Sequence, residues 1–479
     1  MSKTTYDVDI CIIGAGSAGL SLASGAAQLG RSVVLFEAGE MGGDCLNAGC
    51  VPSKAFLRAG KLAQARRVGG DMGIKPVEPE VDFEAVKAHV KDVIATIAPV
   101  DSQERFEGLG CTVIREFARF KDAKTVESDT TEVKAKRVVI CTGSRASAPP
   151  IPGLKDIDFL TNEEIFEIDE LPKHLLVIGA GPIGLELGQT FRRFGSKVTV
   201  VDIAPPLGRS EPEHAQTLVD ALTAEGIDFH APVNTKMVRK TKQGVEIELE
   251  SGEILKGSHL LVAAGRGPIV EGLGLENAGI VYDRRGIETD DNLRTSNKKV
   301  YAAGDVAKGM GGLTHAAGHH AGKLITNFYF MPPLIGPMLT KATTNRMPAV
   351  VYTEPELANI GLSEKAAREK YNDVRVVHWE FEENDRAIAE RHTGGGVKIV
   401  ARKNGTILGG SIVGDYAGEI IHMLSVAMTN KVKISGLAQI ISPYPTRSEA
   451  VKRAAGSWYT ATIFGPKAKK LAGLWTKFH

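Results

Sequence analysis

The sequence predicts an α/β protein with two nucleotide-type halves and an α+β C-terminal segment, and three observations carry that expectation. Glycine fingerprints stand at Gly14-Ala15-Gly16-Ser17-Ala18-Gly19 and at Gly179-Ala180-Gly181-Pro182-Ile183-Gly184, each between an apolar strand-like run and a helix-like run. After about residue 346 the pattern changes to alternating runs such as Val397-Lys398-Ile399-Val400, which read as antiparallel sheet. At 479 residues the chain exceeds what one core organises, so several domains are expected.

The first half begins with the strand-like Val8-Asp9-Ile10-Cys11-Ile12-Ile13, followed by the fingerprint and a helix over residues 20–29. Gly14, Gly16 and Gly19 let backbone approach a pyrophosphate, and the helix start supplies the positive end of a dipole. A second strand over residues 32–36 ends at Glu37, at the offset from which an acid reaches a ribose hydroxyl. The second half repeats the plan: strand 175–178, Gly179, Gly181 and Gly184, helix 185–194, strand 197–201, then Asp202. An acid there favours the free 2′-hydroxyl of NAD over the 2′-phosphate of NADP, while Arg209 a few residues on leaves a phosphate contact open.

Between the fingerprints lies Gly42-Gly43-Asp44-Cys45-Leu46-Asn47-Ala48-Gly49-Cys50-Val51-Pro52-Ser53-Lys54. Pro52 suits the first turn of a helix, which places Cys50 at a positive helix end that favours a thiolate, with Lys54 one turn on along the same face. Five cysteines form no disulfide framework, and in a reducing compartment a close pair reads as catalytic. Cys11, Cys111 and Cys141 fall in apolar strand-like runs and read as packing residues. A formal net charge of +1 gives no nucleic-acid footprint. The start of the chain shows no cationic-then-apolar leader and no run long enough to span a bilayer, so a cytoplasmic location is expected. No metal site is assigned.

Two nucleotide sites around a dithiol imply a relay in which one nucleotide is a fixed flavin and the other a diffusing nicotinamide. These residues resemble the class I flavin disulfide reductases, or pyridine nucleotide-disulfide oxidoreductases, in their dihydrolipoamide dehydrogenase and mercuric reductase branch; the resemblance covers nearly the whole chain. It implies bound FAD, NADH as partner nucleotide with NADPH less favoured, and a homodimer. Thr142-Gly143-Ser144 resembles the turn closing the first flavin segment, and Asp305 in Gly304-Asp305 the acid that holds the ribityl chain. Thr314 and His315 resemble the helix start beneath the flavin ring, and Gly43 and Gly265 are carried as further cofactor positions. Gly265-Arg266-Gly267-Pro268 departs from the family turn at Ile269, where Asn is usual. The implied domains are residues 1–150 (FAD, first part), 151–281 (NAD(P)H), 282–345 (FAD, second part) and 346–479 (dimerisation).

By the same resemblance Cys50 is the flavin-proximal sulfur and Cys45, the more exposed, meets substrate, while Lys54 and Glu186 form an ion pair beside the flavin. In the lipoamide and glutathione branches a histidine from the partner subunit, oriented by a Glu five residues later, serves the thiols. Here the segment is Ser442-Pro443-Tyr444-Pro445-Thr446-Arg447-Ser448-Glu449, so Glu449 remains and Tyr444 stands in the histidine's place. An unperturbed Tyr titrates near 10 against about 6.5 for His, a poor match for a general base. Tyr at this position resembles mercuric reductases, which also carry a C-terminal cysteine pair that this chain lacks beyond Cys141. His422 in the same segment reads as an ordinary helix residue.

The expectation is therefore an NADH-dependent, dihydrolipoamide dehydrogenase-like oxidoreductase acting on a small-molecule disulfide or another electron acceptor. Two readings stand beside it: a mercuric-reductase-like metal or quinone reductase, and a weakly catalytic flavoprotein of a lipoyl-carrying complex or a redox sensor. At the C-terminus Leu471, Leu474, Trp475 and Phe478 share a helical face among Lys467, Lys469, Lys470 and Lys477. That helix is expected to pack on the dimer, with contact to a membrane surface or partner protein as the alternative.

Overall fold

A computed structural model describes residues 3–476 apart from 311, 333, 334 and 336–340. The expected helix positions Lys477 and Phe478 lie outside the described residues. The chain divides into two compact units, one of Met1–Gly179, Thr190–Ile203 and Val233–Thr344, the other of Ala180–Gln189, Ala204–Pro232 and Asn345–His479.

Along the chain the elements are β1 (Thr4–Ile13), α1 (Ser17–Gln28), β2 (Val33–Phe36), α2 (Gly43–Asn47), α3 (Cys50–Arg67), α4 (Phe83–Asp101) and α5 (Gln103–Gly108). Then come β3 (Cys111–Ile114), β4 (Arg119–Phe120), β5 (Thr125–Glu127), β6 (Thr131–Ile140), β7 (Ser144–Ala146), β8 (His174–Ile178), α6 (Pro182–Phe194), β9 (Lys197–Val201), α7 (Pro212–Ala224) and β10 (Ile227–His230). They are followed by β11 (Thr235–Thr241), β12 (Gly244–Leu249), β13 (Ile254–Gly257), β14 (His259–Val262), β15 (Arg266–Pro268), β16 (Tyr282–Asp283), β17 (Gly286–Ile287), β18 (Val300–Ala302) and α8 (Thr314–Ile325). The C-terminal part holds β19 (Pro348–Val351), β20 (Glu356–Gly361), α9 (Glu364–Lys370), β21 (Val374–Glu380), α10 (Asp385–Glu390), β22 (Gly396–Arg402), β23 (Ile407–Gly414), α11 (Ala417–Thr429), α12 (Ile434–Gln439), α13 (Glu449–Ile463) and α14 (Pro466–Trp475).

In the first unit β1 lies between β2 and β6, parallel to both, with β3 beside β2 and β18 beside β6, all parallel. β1 is apolar at consecutive positions because both faces of this sheet are covered. Ile10 and Ile12 enter the cluster with Leu20 and Leu22 of α1 and Leu324 of α8, whereas Cys11 and Ile13 enter the opposite one with Val138 and Ile140. α1 starts three residues before the expected 20, at Ser17. Its first turn, Ser17-Ala18-Gly19, is made of small residues that carry little apolar period, so the pattern hides the true start. A second parallel array runs β9-β8-β14.

α3 is fixed along its length by an aromatic cluster. Phe56 is fully buried against Phe166 at 5.2 Å and edge-on to Phe194 at 5.7 Å, with Phe83 and Phe191 completing the group. In the second unit five antiparallel strands run β19-β20-β23-β22-β21, backed by Ile420, Ile421 and Leu424 of α11 and Val451 and Trp458 of α13. The antiparallel sheet and helices expected after residue 346 are present. α14 forms as expected, with Leu471, Leu474 and Trp475 exposed at 56, 49 and 61%.

Candidate active site: the Cys45 and Cys50 dithiol

α3 begins at Cys50, so the sulfur stands at a helix N-terminus as the sequence predicts. α2, which carries Cys45, opens with Gly42 at φ 90° and Gly43 at φ 61°. Both need glycine, and a Cβ on Gly43 would meet the Gly16 Cα at 2.8 Å, so α2 starts pressed on the start of α1. Ser17 at the head of α1 acts to lower the Cys45 thiol, against the larger effects of Cys50 and burial, and Thr314 Oγ1 at the head of α8 lies 3.3 Å from Cys50 Sγ. Neither α1, α3 nor α8 has a side-chain cap. Three helix starts with uncapped N–H groups therefore gather at the dithiol, a positive environment for a thiolate or an anionic ligand.

The acidity of the two thiols splits. Cys50 is lowered to about 6, chiefly because the Cys45 thiol hydrogen-bonds to its thiolate, with Thr314 and the Lys54 ammonium assisting against burial and the Asp44 carboxylate. Cys45 is pushed up by the same hydrogen bond and by burial. The three other cysteines are buried, and burial alone raises them, Cys111 to about 11 and Cys11 and Cys141 further. Their reading as packing residues fits. One expectation needs correction: Cys50 is the exposed thiol and Cys45 the half-buried one in this chain. Cys45 sits inside a short helix clamped on α1, whereas Cys50 heads α3 at its open end. Acidity, not exposure, distinguishes the two sulfurs.

Around the dithiol the first fingerprint is closed tightly. A Cβ on Gly14 (φ 105°) would come within 2.5 Å of the Cys141 carbonyl oxygen, and one on Gly19 within 1.8 Å of the Gly14 carbonyl oxygen. At Gly16 the nearest atom would be the Gly43 Cα at 3.9 Å, which leaves backbone accessible at the head of α1. The Glu37 carboxylate accepts from Ala15 N at 2.6 Å and Gly39 N at 2.7 Å and so braces this turn. Thr142 Oγ1 donates to the Ile269 carbonyl at 2.7 Å, Gly143 takes φ 70°, and Ser144 Oγ donates to Asp305 Oδ2 at 2.6 Å. Thr314 and His315 are exposed at the start of α8. An uncapped helix start behind a turn that only glycine can close fits the pyrophosphate of a dinucleotide such as FAD.

The second fingerprint is built alike. Gly179, at φ 118°, would bring a Cβ within 2.5 Å of the Ala263 carbonyl oxygen, while Gly181 has open space and Gly184 is buried. Asp202 follows β9, and its carbonyl accepts from Val233 N at 2.8 Å. Gly265 takes φ 153°. Glu186 is buried in α6 of the second unit, where its carboxylate accepts from Tyr352 N at 3.0 Å.

At the C-terminal motif Tyr444 has a polar partner that the sequence did not show. Tyr444 is 69% exposed and its hydroxyl donates to Asp385 Oδ2 at 2.7 Å, whereas Glu449 caps an ion pair with Arg453 at 2.8 Å along α13. Asp385 lies far away in sequence, so the motif's own spacing could not reveal it. Its hydrogen bond and charge push the Tyr444 phenol up, opposite to what a base needs. His422 is an exposed helix residue. Sequence reasoning also missed Ser17, hidden inside the fingerprint, and Arg266, whose turn was noted but whose side chain was not.

The chain matches the family model described as pyridine nucleotide-disulphide oxidoreductase over residues 8–321, and that family's dimerisation domain over residues 347–455. It is 33% identical to a mercuric reductase of Bacillus cereus over 455 residues, covering 94% of this chain and 71% of that protein. It is 34% identical to dihydrolipoyl dehydrogenase 3 of Pseudomonas aeruginosa over 469 residues, covering 93% and 97%. The structure of a Cu(II) complex of the HOCl-induced flavoprotein disulfide reductase RclA from Escherichia coli superposes with a TM-score of 0.81 at 26% identity, covering 93% and 99%.

Proposed function

The chain belongs to the pyridine nucleotide-disulphide oxidoreductase family, whose members are FAD-binding, NAD(P)H-using flavoproteins with a dimerisation domain, and from that premise we propose that Cys45 and Cys50 are its redox pair. The homodimer would pass electrons between NADH and a small-molecule disulfide or another acceptor. The observation that carries this reading is Cys50 at the start of α3, 3.3 Å from Thr314 Oγ1, with its thiol lowered to about 6 chiefly by Cys45 of α2 and further by the Lys54 ammonium. Bound FAD supplies the two-electron exchange with the nicotinamide that side chains cannot perform. Gly14, Gly16, Gly19, Glu37, Gly43, Thr142, Gly143, Ser144, Asp305, Thr314 and His315 would hold it. Gly179, Gly181, Gly184, Asp202 and Gly265 would serve the nicotinamide nucleotide, with Lys54 near the flavin. The proposed domains remain residues 1–150, 151–281, 282–345 and 346–479.

For the outward half-reaction this chain's residues need no external base. Cys45 can hand its proton to the hydrogen-bonded Cys50 thiolate as it attacks the substrate disulfide, forming a mixed disulfide and releasing one thiolate that takes up a proton. Cys50, deprotonated again to that leaving group or to solvent, then attacks the Cys45 sulfur. The Cys45–Cys50 disulfide forms and the second thiol leaves.

A second reading is favoured by Tyr444. With no histidine at that position and a phenol raised by Asp385, a soft metal ion bound by the two thiolates is a substrate that needs no proton removed from it. The mercuric reductase relatives support that reading. Steady-state turnover of the FAD-loaded dimer with dihydrolipoamide, Hg(II), Cu(II) and quinones, beside a Tyr444→His variant, separates the two. Dihydrolipoamide oxidation by NAD that rises by about 10²-fold in the variant supports a noncanonical acceptor for the wild type, because only that direction needs a proton taken from the substrate dithiol. Rapid dihydrolipoamide oxidation by wild type with no gain in the variant would contradict the role given to Tyr444.

A further inference from the structure

Arg266 lies in β15, which pairs antiparallel with β7, and its side chain is three-quarters buried, with its guanidinium against four polar atoms of three residues. Nε donates to Ser144 Oγ at 2.9 Å, and Nη2 to the Ser144 carbonyl at 2.7 Å. Nη1 donates to Asn162 Oδ1 at 3.3 Å, and Nη2 also lies 3.3 Å from Asp44 Oδ2. The partners are themselves joined. Ser144 donates to Asp305, and the Asn162 amide donates to Asp44 Oδ1 at 3.0 Å and to the Ala48 carbonyl at 2.9 Å. A continuous chain thus runs from Asp305 through Ser144 and Arg266 to Asp44, the residue before Cys45, with Asn162 as a second clasp on the same helix.

We propose that Arg266 is a positioning residue for the dithiol: it ties Asp44 and α2 to the Ser144–Asp305 pair and neutralises the carboxylate that works against the Cys50 thiolate. The inference rests on the redox-pair reading above. Among the described residues, the ionisable groups that act most on Cys50 are Cys45 and Asp44 from α2 and Lys54 from its own helix α3; α8 contributes the Thr314 hydroxyl. Of the charges, Lys54 favours the thiolate and Asp44 disfavours it. An Arg held 3.3 Å from Asp44 offsets the unfavourable one, while its planar fork is fixed on Ser144, whose hydroxyl donates to Asp305. Asp44 is 37% exposed, so solvent screening keeps the effect modest.

The test is the pH dependence of Cys50 alkylation by iodoacetamide in the reduced, FAD-loaded dimer, read by mass spectrometry with fragmentation of the peptide ending at Lys54. Arg266→Gln is expected to raise the Cys50 midpoint by about half to one pH unit, slowing alkylation below the midpoint by about 3–10-fold. Asp44→Asn is expected to lower the midpoint. In the Asp44→Asn background, Arg266→Gln is expected to move it far less than in wild type, since the charge it shields is gone. A midpoint unmoved by either single variant, or an Arg266→Gln shift that persists in full without Asp44, overturns the proposal. Should Arg266→Gln fail to fold, the Asp44→Asn midpoint and an Arg266→Lys variant, expected to fall between wild type and Gln, decide it. A wild-type Cys50 that titrates like an ordinary thiol would instead overturn the redox-pair reading itself.

Discussion

The Cys50 sulfur shows how single-residue chemistry emerges from backbone placement. Its thiolate is favoured by a Cys45 hydrogen bond, by Thr314 and by Lys54, each delivered by a different helix or turn. Removing the cation by Lys54→Met should raise the Cys50 alkylation midpoint from about 6 by about one unit, since an opposite charge at close range favours the ionised form. An unchanged midpoint would remove Lys54 from the account. At this scale the sequence was legible wherever spacing is strict. Cys45, Cys50 and Lys54 lie within ten residues, and helix geometry alone places the latter two on one face. Arg266 was illegible because its meaning lies in Ser144, more than a hundred residues away, and in Asp44 further still. Tyr444 was legible as a departure, but its Asp385 partner was not.

Helices and strands present these residues through packing that sequence periodicity reports only in part. α3 holds its N-terminus in place because Phe56, in its second turn, is locked among four other rings. Phe56→Ala should therefore cost about 3–5 kcal/mol in chemical denaturation and broaden the thiol titration. In the second unit Lys398 of β22, only 3% exposed, sits at 2.7 Å from Glu211, 2.5 Å from Glu213 and 2.8 Å from Glu364. Lys398→Met leaves buried carboxylate charge without its partner and should destabilise by about 3–5 kcal/mol. Next to it, His214 of α7 shares a 2.7 Å hydrogen bond with Ser411 and is lowered to about 4 by burial. The unfolded chain takes up that proton first, so stability should fall as pH drops from about 6.5 towards 4. His214→Gln should flatten this part of the stability curve, and denaturant titrations across that range measure it. None of this polar cluster was foreseen, because its members come from four elements with no shared sequence period.

For the whole molecule, the two nucleotide halves, the dithiol between them and the dimerisation segment were all legible, since glycine fingerprints and a change from buried parallel to alternating strands survive in the sequence without knowledge of contacts. Tyr444 is exposed at 69%. If Tyr444 serves the thiols of the second subunit, turnover should fall on dilution below the dimer dissociation constant while reduction by NADH within each subunit persists. Sedimentation and stopped-flow absorbance on the same samples measure both.

The central claim, that electrons leave through Cys45 and Cys50, is tested most directly by anaerobic titration of the FAD-loaded dimer with NADH while free thiols are counted. The first equivalent is expected to convert the Cys45–Cys50 disulfide to thiols, with a long-wavelength charge-transfer band that disappears as Cys50 is protonated near pH 6 and is lost in Cys50→Ser. Bleaching of the flavin by that first equivalent with no new thiols, unchanged in the Cys50→Ser variant, would contradict it.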